Sequence, residues 1–179
     1  YKIPVDTEFT LELDRDSNRR VIPRLNMVQC RPLSRIEREA ATLPTDIPEE
    51  QTIFISKRMV PDGRISGVRY GVYVTTEGFR KLRAEGRQQD IAKLVGRINR
   101  RLEGEKFILI GPGRWGSNNP DLGIPVTYSE IYNARALVEI TSDRMKTEPS
   151  YGTHFFQDLV EAEIFPLAVS LEDPGASFD

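Results

Sequence analysis

The chain has 179 residues, and its 25 basic side chains against 27 acidic ones leave a formal net charge of −2. That balance removes any bulk electrostatic case for binding nucleic acid or an anionic membrane. One cysteine, Cys30, excludes an internal disulfide, one histidine, His154, leaves no Cys/His set for zinc, and no apolar run approaches the roughly 20 residues that cross a bilayer.

The chain opens directly on a strand pattern. In "TEFTLEL" the apolar Phe9, Leu11 and Leu13 alternate with Glu8, Thr10 and Glu12, the period of two of a strand with one buried face. No initiator methionine precedes it, which suggests a chain cut from something longer. The polar segment from Asp14 to Arg24 leads to "RLNMVQCRP", a second strand candidate in which Gln29 and Arg31 fall on one face. An antiparallel hairpin is the economical pairing. Pro32 ends it, "SRIE" from Ser34 to Glu37 fits a capping box that opens a short helix, and "TLPTDIPEE" reads as a linker.

From Gln51 the pattern changes. "QTIFISKRMV", a "PDG" turn and "RISGVRYGVYVTT" predict a second hairpin, and Thr76 caps a helix through Phe79 and Leu82 that Gly86 interrupts. Ile91, Leu94, Val95, Ile98 and Leu102 follow helical spacing in "QQDIAKLVGRINRRL". "KFILIG" is a buried strand, "TYSEIYNA" a short capped helix, "ALVEIT" a strand, "THFFQDLVEAE" a helix capped by Thr153, and "IFPLAVSL" a last strand. Alternating strands and helices predict an α/β (α+β) domain, a mixed sheet with packed helices. The expected division is a hairpin over residues 1–33, a linker with a short helix over 34–50, and a domain over 51–179.

The most function-like phrase is "FILIGPGRWGSNNPDLG", where a strand opens into a glycine-rich loop. It holds no GxxxxGK[ST], and although Gly111, Gly113 and Gly116 match the intervals of GxGxxG, Pro120 and Pro125 keep a long helix from following. No helix dipole therefore points at a phosphate. Two readings stay open. In one, the backbone around Gly111 and Gly113 forms an anion nest and Arg114 offers a bidentate fork to a phosphate or carboxylate. In the other, the segment is a structured turn in which Trp115 packs on the domain and Arg114 pairs with an acid such as Asp121.

"EFTLEL" followed by "LNMVQCRPL" resembles the closing hairpin of the ATP-grasp nucleotide-binding domain of the phosphoenolpyruvate synthase and pyruvate, phosphate dikinase family. The matching elements are Glu8-Phe9-Thr10 and Val28-Gln29-Cys30-Arg31-Pro32. The resemblance implies that Glu8 and Gln29 help hold the Mg²⁺ and phosphates of ATP, with Glu12 a weaker candidate on the same face, and that Arg31 stabilises the transferring phosphoryl group. Carboxylate and amide oxygens are hard ligands suited to Mg²⁺, and a guanidinium neutralises charge on phosphoryl oxygens. "GPGRWGSNNPDLGIPVTYSEI" and "SYGTHFFQDLVEA" resemble the C-terminal region of large phosphoenolpyruvate synthase-like proteins of bacteria and archaea.

That family relays phosphate through a histidine, but "YGTHFF" matches the relay motif poorly, and His154 reads as a half-buried structural residue. The basic run Arg80, Lys81, Arg83, Arg87, Lys93, Arg97, Arg100 and Arg101 lacks interleaved aromatics and reads as solvated helix faces. The expectation is thus a C-terminal fragment of an ATP-dependent phosphotransferase, cytoplasmic by its economy of cysteine, with pyruvate or a similar small molecule as acceptor. Its partner is the upstream ATP-grasp lobe; no nucleic acid and no membrane are expected, and a homo-oligomer is compatible with the sequence. The fragment alone should neither turn over nor bind ATP tightly. The alternative is a regulatory anion-sensing or oligomerising domain attached to such a kinase.

Overall fold

The computed structural model describes residues 5–32, 42, 44, 47–58, 63–119, 121–143, 145, 147–150 and 153–178. The chain falls into two compact units, Tyr1–Glu37 and Arg38–Asp179. The helix expected at Ser34–Glu37 and the turn at Pro61 and Asp62 lie outside the described residues.

The first unit is an antiparallel hairpin of β1 (Val5–Arg15) and β2 (Val21–Pro32). Its turn is shorter than the polar composition of Asp14–Arg24 suggests. The Asp16 carboxylate accepts from the N–H groups of Asn18 and Arg20, both at 2.8 Å, and Arg19 takes φ 63°, so the chain reverses within the residues between the strands. Phe9 stands opposite Met27 and Leu11 opposite Leu25, forming one apolar face. These four side chains and Leu13 are 54–65% exposed, against the buried face expected of the alternation. The other face is polar: Asn26 Nδ2 donates to Thr10 Oγ1 at 3.5 Å, and Arg24 lies 3.6 Å from Asp14 and 4.0 Å from Glu12.

The second unit is α/β. Its core is a four-stranded sheet in the order β4 (Tyr70–Tyr73), β5 (Phe107–Pro112), β8 (Ala136–Thr141) and β9 (Phe165–Ser170), every neighbouring pair parallel. The sheet is therefore parallel rather than mixed, and the antiparallel pairing lies outside it. The hairpin expected between residues 51 and 76 does not form: β3 (Phe54–Ile55) pairs antiparallel with β10 (Ser177–Phe178), and β4 joins the parallel sheet. Alternation announces a strand but not its partner.

Helices α1 (Thr76–Ala84) and α2 (Gln88–Arg101) connect β4 to β5, and α3 (His154–Glu161) connects β8 to β9. Thr75, one residue before the expected cap, accepts from Gly78 N–H at 3.1 Å, and Gly86 at φ 68° ends the turn after α1. Phe107 and Leu109 of β5 and Leu137 of β8 meet Phe79, Ile91, Val95 and Leu159 of the helices. The alternate residues Ile110, Val138, Ile140 and Val169 form a second core on the opposite face, against Phe54 and Phe178 of the β3/β10 pair. The predicted helix "TYSEIYNA" is a single 3₁₀ turn, Tyr128–Glu130, closed by a capping box between Thr127 and Glu130. Of the basic run, Arg83 pairs with Asp121, Arg87 with Glu85 and Asp90, and Lys93 with Asp90, as surface charges on solvated helices do. Among the described residues no helix is long and apolar enough to cross a membrane.

Candidate functional site

In the hairpin, Glu8 stands directly opposite Gln29, while the next residue, Phe9, stands opposite Met27. The register slips by the one extra residue Val28. In a regular strand Gln29 would share the apolar face of Met27; the bulge brings it across from Glu8 instead. Arg31 stands opposite Asp6, two positions further along the same ladder. Glu12 pairs with Arg24 and so lies among the surface charges nearer the turn. Across one rung of the ladder Glu8 and Gln29 offer two hard oxygens, short of the six that an octahedral Mg²⁺ takes. Among the described residues no group of three or more His, Cys, Asp or Glu side chains is placed to hold a metal.

The second candidate lies where the parallel strands end. Parallel pairing sends the C-termini of β4, β5, β8 and β9 to one edge, where ligands bind in α/β folds. Past β5 the chain turns at Gly113, φ 69°, and forms β6 (Arg114–Trp115), which runs parallel to β7 (Gly123–Ile124). Asn119 closes the excursion: its carbonyl accepts from Leu122 N–H at 3.0 Å and its Oδ1 from Asp121 N–H at 2.9 Å. The loop is therefore tied to itself and to the sheet. Gly113 N–H donates to Ile140 O, Arg114 N–H to Leu122 O, Trp115 N–H to Glu139 Oε1 and Gly116 N–H to Ile124 O. Every N–H from Gly113 to Gly116 is engaged within the protein, so the backbone of those four residues holds no ready anion nest. Gly111 and Gly113 are buried, Gly111 against the Trp115 ring and Ile124. Their role is close packing. Trp115 is 1% exposed, with its indole N–H on Val138 O at 3.1 Å.

What the loop presents is the Arg114 side chain. Its Nε donates to the carbonyl oxygen of Glu148, not to Asp121, which pairs with Arg83. The fork is held from behind, and among the described residues its Nη atoms have no hydrogen-bond partner. Beside it opens a cavity of about 300 Å³, walled by Arg114, Ser117 and Asn118 on one side and by Thr153, His154 and Phe155 at the start of α3 on the other. Thr153 caps α3 by accepting from Phe156 N–H at 3.2 Å, and its hydroxyl donates to Ser150 O at 2.7 Å. His154 is exposed in this wall rather than half-buried.

Beneath the cavity lies a residue that sequence reasoning passed over. Glu139 is the one acid in the apolar strand "ALVEIT" and is 4% exposed. Its two oxygens accept from Trp115 N–H at 3.0 Å and Ser150 N–H at 2.9 Å, tying the loop after β5 to the segment after β8. Burial pushes its carboxyl up from the ordinary value, against the opposing pull of the Ser150 and Trp115 donors and of the Arg114 guanidinium. A lone carboxylate in an otherwise apolar buried strand was the available signal. No protein-family model, curated protein or solved structure matches this chain.

Proposed function

We propose that the chain is the C-terminal part of a phosphoenolpyruvate synthase-like, Mg²⁺-dependent phosphotransferase that uses ATP and a pyruvate-type acceptor. Residues 1–33 are then the closing hairpin of its ATP-grasp domain. The observation that carries this reading is the pairing of Glu8 with Gln29, made by a bulge that moves Gln29 off the apolar face. Glu8 and Gln29 would hold the Mg²⁺ that neutralises the ATP phosphates, and Arg31 would meet the charge that develops on the transferring phosphoryl group. The exposed apolar face of Phe9, Leu11, Leu13, Leu25 and Met27 also supports it. A two-stranded hairpin is marginal alone, and the rest of an ATP-grasp lobe would supply the missing layer.

Two measurements test this. Calorimetry on the isolated chain with MgATP should show no binding at micromolar concentrations, and tight binding contradicts an incomplete site. In the complete phosphotransferase, Glu8→Gln or Arg31→Met should lower kcat by about 10²–10³-fold, the range seen when one charge-stabilising donor is removed. Unchanged turnover in both variants rejects the assignment.

A second reading is favoured by the open Arg114 fork beside its cavity: the Arg38–Asp179 unit senses a small anion and regulates the kinase to which it is joined. In that case Arg114→Ala removes an effector response and leaves basal turnover intact.

A further inference from the structure

Three side chains at the cavity beside Arg114 have polar groups with no hydrogen-bond partner among the described residues: the Arg114 Nη atoms, the Asn118 amide and the His154 imidazole. They come from two elements, the loop after β5 and the first turn of α3, and they line one space of about 300 Å³. Other polar groups nearby are engaged. Ser117 Oγ donates to Asn119 O and accepts from Asn119 N–H, and Ser150 N–H donates to Glu139 Oε2 at 2.9 Å. Each of the three unmatched groups carries an N–H that can donate to an acceptor-rich ligand in that space.

We propose that this cavity binds a small organic phosphate monoester, its phosphoryl oxygens shared among Arg114, Asn118 and His154. This deepens the anion-sensing reading and is independent of the hairpin. Donors arriving from two walls suit the tetrahedral oxygens of a phosphoryl group, whereas a planar carboxylate is satisfied by the arginine fork alone. The Nε bond to the Glu148 carbonyl sets the fork before any ligand arrives, so less freedom is lost on binding. Phe155 lines the same space and offers an apolar surface for a short carbon body, and the volume lies at the small end of ligand cavities. The two walls are also fixed against each other. Gly116, at φ 72°, sits so close to the Phe155 ring that a side chain there would collide with it.

The test uses the full chain, titrated with inorganic phosphate, with glycerol 3-phosphate and, as the planar comparison, with pyruvate. The chain has one histidine and one tryptophan, so the imidazole proton resonances report on His154 and the emission reports on Trp115 without assignment. Calorimetry gives the affinity. Saturable binding of both phosphates with a displaced His154 resonance is expected, weakened about tenfold or more by Arg114→Lys, which replaces a fork with a point charge. Should that variant not fold, Asn118→Ala and His154→Gln, on exposed side chains, make the same comparison by calorimetry, and unchanged affinity in both overturns the proposal. Saturation by pyruvate but by neither phosphate overturns the ligand class and leaves the sensing reading standing. Absence of saturable binding by all three overturns both.

Discussion

Replacing Glu139 tests whether the buried carboxylate holds the site together. It accepts one N–H from the loop after β5 and one from the segment after β8, at 3.0 and 2.9 Å. Glu139→Ala leaves both donors buried without an acceptor, and each unsatisfied N–H costs about 1–3 kcal/mol. Removing the carboxylate also relieves its own burial, the cause that pushes its carboxyl upward. The net loss is set at about 3 kcal/mol for Ala. Glu139→Gln keeps one acceptor and turns an amide N–H toward the other donor, for a loss of about 1–2 kcal/mol. At about 2–4 °C per kcal/mol for a unit of this size, the Ala variant should melt roughly 6–12 °C lower. Urea unfolding followed by Trp115 emission and by far-ultraviolet circular dichroism measures both variants. A Glu139→Ala protein as stable as the parent, with an unchanged denaturant slope, would show that the carboxylate burdens the fold rather than clamping it.

The raised Glu139 carboxyl predicts a pH dependence of known sign: the folded chain binds the extra proton between the ordinary carboxylate value and the raised one, so this contribution is full below that window and is lost as pH rises through it. Urea midpoints of the parent against the non-titrating Glu139→Gln measure it, and a slope of opposite sign would mean that the N–H donors and Arg114 outweigh burial. Arg114→Met removes an opposing attraction and should move the Glu139 titration further upward, readable by carbon-13 NMR of the carboxyl. Gly113→Ala should cost about 1–3 kcal/mol or more in urea unfolding, because φ is 69° and the new Cβ would meet Leu122 O and the Met145 methyl. Thr153→Ala should cost about 1 kcal/mol and speed amide exchange at the start of α3, since it removes the cap on Phe156 N–H and the bond to Ser150 O.

The elements were legible where one physical signal dominates. Ile91 and Val95 are buried at the helical spacing read for α2, and Phe107 to Ile110 form the strand read in "KFILIG". What local pattern cannot carry is partnership: Phe54 and Ile55 pair with Ser177 and Phe178, and Tyr70 to Tyr73 add to β5 in parallel, pairings fixed by tertiary packing. The hairpin shows the same limit, because Phe9 and Leu11 alternate like buried residues and yet stand exposed. At the candidate site Arg114 was legible as a potential fork, but the fate of the loop's N–H groups was not. Each of their acceptors, at Leu122, Ile124, Glu139 and Ile140, lies beyond the glycine-rich phrase or at its far end.

The pairing of β3 with β10 also bears on how the Arg38–Asp179 unit is made. During synthesis β3 emerges long before β10, so the face carrying Ile110, Val138, Ile140 and Val169 lacks half of its cover until β10 has left the ribosome. Ser56 Oγ donating to Ala168 O and Arg58 paired with Asp173 at 2.5 Å close the same seam from the early side. A contact of such long sequence separation forms slowly. The helix-covered face can assemble first, and the nascent unit exposes a valine- and isoleucine-rich sheet surface until β3 and β10 pair.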